Sequence, residues 1–132
     1  MTQQNKHRLV AVLSIIPGLL TIKEGGSVLL GLSTPSYHVL PWLVVYNIVL
    51  GFVSLIAGTG IWMERTWGSI LAAFILLCHS LVFLIVFFLF MFREPVALIS
   101  VMAMLVRTAL WALIYLLLRW AGNEKAGKAG KA

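Results

Sequence analysis

Residues 68–92 read GSILAAFILLCHSLVFLIVFFLFMF, without one charged side chain. At a helix rise of about 1.5 Å per residue, the stretch crosses a hydrocarbon core of roughly 30 Å with some tilt. It predicts a transmembrane helix. Its second half, FLIVFFLFMF at 83–92, crowds aromatics at 83, 87, 88, 90 and 92. That run reads as a surface for lipid or bundle packing, with a pocket for a hydrophobic ligand such as a quinone as the alternative.

Two further spans flank this one. Residues 42–63 are uncharged and follow Pro41, and 96–118 follow Pro95; the fixed φ of proline suits a helix start. Trp42, Trp62, Trp67 and Trp120 fall near span ends, as an interfacial aromatic belt requires. The first span is less regular. The uncharged run 9–22 is too short to cross, and extending it to 32 takes in Lys23, Glu24, Gly25 and Gly26. We read 9–32 as one span interrupted at Gly25 and Gly26; a re-entrant helix ending at Lys23, or a glycine pair that serves close helix packing, are the alternatives. Lys6 and Arg8 precede the run as in a signal peptide, but no small-x-small cleavage site follows it, so the segment is expected to be retained.

The expected fold is therefore all-α, a four-transmembrane-helix bundle over residues 1–120. A basic tail, 121–132, follows; with little but Gly, Ala and Lys it has no core to bury and is expected to be disordered. Composition agrees. The chain is 61% hydrophobic and 11% charged, with a mean hydropathy of +1.03, where a soluble domain carries about a quarter charged residues. Lipid must be its main solvent.

The net charge of +6 sits at span ends and in the tail. Anionic lipid headgroups are its natural partner, and nucleic acid is not expected. With the N-terminus inside, Lys6, Arg8, Arg65, Arg119, Lys125, Lys128 and Lys131 share the inner side, and Arg93 alone lies outside. The positive-inside rule then places both termini in the cytoplasm.

Charges inside a span cost at least about 2.5 kcal/mol on insertion scales, so each is a candidate site. Lys23 and Glu24 in span one and Arg107 in span four are such charges, and Asn47 and His79 are strongly polar neighbours. Counted from the inner ends, Glu24 and Asn47 stand roughly 22 Å up, Lys23 roughly 21 Å, Arg107 roughly 18 Å and His79 roughly 16 Å. All four helices thus place a polar group in one layer, with Arg107 and Glu24 the expected ion pair. The layer either fixes helix register or forms a site for an ion, a proton, a small polar solute or a partner. Span two also carries small residues, with Ser54 and Gly58 in a small-xxx-small spacing suited to tight helix contact.

Other chemistry is sparse. Cys78, the single cysteine, has no disulfide partner within the chain and reads as a small hydrophobe. His7 and His38 lie too far along the chain to join His79 in a bis-histidine haem site, which leaves only a haem shared across a dimer. No metal-ligand spacing, nucleophile–base arrangement or phosphate loop occurs. No catalytic residue, metal or cofactor is assigned, and an enzyme is not expected.

The segments LLTIKEGGSVLLG at 19–31, VVYN at 44–47, GF at 51–52, AGTGIW at 57–62 and AMLVR at 103–107 are similar to a group of small bacterial four-span inner-membrane proteins with no assigned activity. The resemblance covers about three of the four spans, and KEGG is its most distinctive element. It implies the fold and treats Lys23, Glu24, Asn47 and Arg107 as one unit, but supplies no function. A looser similarity to DoxX-like proteins rests on size and layout alone. Three functions stay open. The first is a non-enzymatic accessory or small transport-related component whose charged layer binds a partner or a small polar ligand. The others are a haem- or quinone-associated redox subunit built on His79, and a structural subunit of a larger membrane complex. The bilayer is the expected partner, with a homo-oligomer or a complex partner open.

Overall fold

The computed structural model describes residues 2–92 and 95–131. Among them are four helices and no strand: α1 (Gln3–Leu29), α2 (Pro41–Trp62), α3 (Thr66–Met91) and α4 (Leu98–Ala129). Each is long and apolar enough to cross a membrane. Large apolar side chains such as Phe52, Phe74, Phe88 and Leu116 stand more than half exposed on the outside of the bundle, a surface suited to lipid and not to water.

The helices form a ring. Each packs on its neighbours in sequence, α1 and α4 close the circle, and the backbones of the diagonal pairs stay apart. The α1–α2 contact is the most extensive and the α1–α4 contact the slightest. Small residues explain the first. A Cβ on Gly18 would stand 3.0 Å from the Gly51 carbonyl oxygen and 3.1 Å from Ser54 Cβ, and one on Gly58 would stand 3.3 Å from the Ala11 carbonyl oxygen. Without side chains at these points the two backbones approach closely, as the spacing of Ser54 and Gly58 led us to expect.

The expected break at Gly25 and Gly26 does not occur. Helix α1 runs unbroken through both glycines to Leu29. Gly25 instead lies against α2, where an added Cβ would come within 2.7 Å of Ile48 Cγ1, whereas Gly26 has open space beside it. The chain leaves the helix later, at Gly31, whose φ of +70° accompanies the Leu32 N–H bond to the Ser27 carbonyl, a Schellman ending. Pro17 sits inside α1 and brings no N–H to its ladder.

Pro41 occupies the first turn of α2 as expected. Pro95 does not start α4: the helix begins at Leu98, with Ala97 as its extended N-cap. The tail expected to be disordered is helical to Ala129. Ala, Lys and Glu are good helix formers, and residues added to an existing helix need no new nucleus. Glu124 also gives the extension a partner. It accepts from Lys6 Nζ at 2.6 Å and from Gln3 Nε2 at 2.9 Å. Lys6 lies 3.9 Å from the centre of the Trp120 ring and Arg8 lies over Trp62, 5.4 Å from its ring centre. The Glu124 and Trp120 contacts bind the start of α1 to the end of α4, and the Arg8 contact binds it to the end of α2, all at the end of the bundle that carries both termini. Arg93, expected alone at the opposite end, lies outside the described residues.

The core divides in two along the bundle axis. A cluster containing Ala11, Ala57, Ile61, Ile75, Trp111 and Ile114 fills the half near the termini, and Leu43, Val86, Val101 and Met104 fill part of the other. The polar layer lies between them.

Candidate functional site

Hydroxyl groups in the spans mostly satisfy themselves. Ser14, Ser54, Ser80 and Thr108 each donate to the carbonyl four residues back, a local bond that makes no demand on neighbouring helices. The groups that cannot do this define the site.

His79 is one of them, and it finds its partner in Tyr46. The tyrosine hydroxyl lies 2.9 Å from His79 Nδ1, with the rings edge to face at 5.7 Å between centres. This bond ties α2 to α3 and takes His79, only 3% exposed, out of the group of unpaired polar residues. Tyr46 was missed at the sequence level because tyrosine at a span interior passes as an aromatic hydrophobe. Its position beside Asn47, at the depth of His79, was the available signal.

The remaining polar groups gather around open space. A cavity of about 260 Å³ lies between α1, α2 and α4 at the end opposite the termini, walled by Thr21, Glu24, Gly25, Asn47, Ser100, Ala103 and Arg107 and covered by Tyr37, Val39 and Leu40. Helix α3 contributes nothing to its wall. At its deep end a small space of about 20 Å³ adjoins Thr21, Asn47, His79 and Arg107. On the outer flank a groove of about 400 Å³ runs between α1 and α4, lined by Leu20, Thr21, Glu24, Met102, Val106, Arg107 and Leu110 among others. Thr21 and Arg107 border all three spaces.

The expected ion pair is not formed. No oxygen of Glu24 lies within 4.0 Å of Arg107; among the described residues the ion pairs are Lys6–Glu124 and Lys125–Glu64, both near the termini. The common level of Glu24, Asn47 and Arg107 along the bundle was readable from residue number, but the direction in which each helix face points was not. Glu24 and Arg107 flank the cavity without closing on each other. The Arg107 guanidinium donates no hydrogen bond to another described residue either. Asn47 Oδ1 is buried without a donor among the described residues, so it is free to accept from a group in the cavity. Lys23 is exposed and stands outside the walls of these spaces.

Of the five residues expected to act together, the structure brings Glu24, Asn47 and Arg107 around one cavity, assigns His79 to a pair with Tyr46, and leaves Lys23 apart. Thr21, Tyr37 and Ser100 join the wall and carried no signal in the sequence beyond being polar. The cavity offers a cation at Arg107, an anion at Glu24, an unsatisfied acceptor at Asn47 and three hydroxyl groups. Among the described residues no three His, Cys, Asp or Glu side chains lie close enough to hold a metal ion. Compared with known families, with curated proteins and with solved structures, the chain finds no match.

Proposed function

We propose that this protein is a non-enzymatic, small transport-related or accessory component of the inner membrane, with both termini cytoplasmic. It would hold a small polar ligand between Glu24, Asn47 and Arg107, and would belong with the small bacterial four-span proteins it resembles. One observation carries the reading: an intramembrane arginine with no ion-pair or hydrogen-bond partner among the described residues borders a cavity that also holds an orphaned buried acceptor. A charge in a span is tolerated when it pairs or faces a water-filled space. Arg107 has only the second option, so its cavity is a place for water and for what displaces it.

The orientation rests on the seven basic residues at the end with the termini. A redox role built on His79 is less well supported. His79 already bonds Tyr46, and the open space beside it, about 20 Å³, suits one water and not a macrocycle.

Accessibility tests the reading. With Cys78 replaced by Ala, an Ala103→Cys variant should react with a membrane-impermeant thiol reagent added to the periplasmic face of intact cells. Labelling should fall when a bound solute fills the cavity. Reaction only from the cytoplasmic face would reverse the orientation, and no reaction from either face would leave Arg107 without an aqueous cavity.

A further inference from the structure

The cavity and the flank groove lie side by side, sharing Thr21, Glu24, Ala103 and Arg107 as lining, and their chemistry differs. The cavity presents opposite charges, Arg107 and Glu24, held apart, with Asn47 Oδ1 still in need of a donor. The ligand that completes it carries an anionic group for Arg107 and an N–H donor or ammonium for Glu24 and Asn47. A simple anion leaves Glu24 unmatched, and a simple cation leaves Arg107 unmatched. The groove between α1 and α4 is mostly apolar, with Leu20, Met102 and Val106 each at least half exposed. It opens on the flank that faces lipid, at the slightest helix contact in the ring. A small soluble zwitterion has no use for this opening; an amphiphile needs it.

We infer that the two spaces together take one zwitterionic amphiphile of the phosphate–amine class. Its phosphate meets Arg107, its ammonium meets Glu24 and Asn47, and its acyl chain lies between α1 and α4. This rests on the reading of the cavity as a polar-ligand site and adds the lipid character of the ligand and its lateral route. The charges do the selecting: Arg107 and phosphate form charge-assisted hydrogen bonds, while Glu24 distinguishes a headgroup with an amine from one without.

Native mass spectrometry of the full chain in a mild detergent separates the components. Three probes are titrated: phosphatidylethanolamine, phosphoethanolamine as the head alone, and diacylglycerol as the chains alone. The intact lipid should bind at least about tenfold tighter than either part, since one molecule fills both spaces. Arg107→Gln should weaken the intact lipid and the head alone by at least about tenfold each, the effect of losing a hydrogen bond to a charged group. Val106→Trp, which fills the groove, should abolish the advantage of the intact lipid and leave the head alone unchanged. Phosphoethanolamine binding as tightly as the intact lipid would overturn the amphiphile while keeping a polar-ligand site. Diacylglycerol binding as tightly as the intact lipid, with Arg107→Gln without effect, would overturn both and leave only annular lipid. Should Arg107→Gln not fold, Glu24→Gln serves in its place. It should weaken phosphatidylethanolamine and spare phosphatidic acid, which lacks the amine, and equal weakening of the two would overturn the ammonium assignment.

Discussion

Helix α1 has two flanks, and they are built on opposite principles. Against α2 it presents Gly18 and Ala11, with Ile15 and Ile22 seated on Gly58 and Gly51 of α2, and the backbones come so close that a methyl group on Gly18 would press on the Gly51 carbonyl. Against α4 it presents Leu20, Thr21 and Glu24, and the helices stand apart around open space. The first flank is held by contact along its length. The second is held at one end, where Lys6, Gln3 and Trp120 gather around Glu124 and its helix. Where helices share lipid as solvent, burial of apolar surface gives little net attraction and close packing carries association. Small residues therefore decide which pair of helices is permanent, and large or charged ones decide where a ligand can enter.

The sharpest break in this comparison is Gly18→Leu. It inserts a side chain where a single carbon already stands 3.0 Å from backbone oxygen, and should cost about 3 kcal/mol or more, read as a loss of thermal stability in detergent. A loss below about 1 kcal/mol would mean that the α1–α2 contact is looser than described. The neighbouring glycines sharpen the same point in opposite directions. Gly25→Ala meets Ile48 and should destabilise by about 1 kcal/mol. Gly26→Ala meets nothing within 4 Å and should stabilise by about 0.5 kcal/mol, because it removes glycine's freedom from the unfolded chain.

On the α4 flank the effects are smaller. Arg107 and Glu24 face one cavity without closing on each other, so the stability changes of Arg107→Gln and Glu24→Gln should depart from additivity in the double variant by only about 1 kcal/mol. A closed, buried ion pair would instead lose about 3–5 kcal/mol in each single variant, and a coupling of that size would mean that the cavity collapses in the membrane. The least effect belongs to Glu124→Gln. It removes the ionic tie to Lys6 and should lower the melting temperature slightly at low salt and not at all at high salt, since partly exposed ion pairs are weak and screened. An effect that survives high salt would assign the tie to packing around Trp120.

The contrast between the flanks also marks what the sequence could convey. The uncharged runs 42–63 and 68–92 dictated α2 and α3 to within a few residues, because a membrane span is a matter of length and apolarity. Ser54 and Gly58 announced a tight contact, and Glu24, Asn47 and Arg107 announced a polar depth. The rotation of each helix about its axis was not legible, and on it depended whether Arg107 would close on Glu24. The glycine pair misled for a related reason. Glycine weakens helices in water, where solvent competes for the backbone; in hydrocarbon the backbone bonds have no competitor, so α1 continues and Gly25 serves packing instead. At 121–129 the alanine and lysine content was read as lack of a core, when it also favours helix.

The ring of contacts has a consequence for how the protein is made. Helices emerge from the ribosome in order, and each of the first three pairs has its partner already in the bilayer when it arrives. The α3–α4 contact and the closure of α1 with α4 both wait for the last helix. The Arg107 side of the cavity is therefore the last piece delivered, and the hairpin of α1 and α2 must spend that interval with Glu24 in the membrane and no arginine beside it. A premature stop before α4 would leave a product that keeps its best-packed interface, lacks the Arg107 wall of the cavity and bares the flank of α1 that α4 covers.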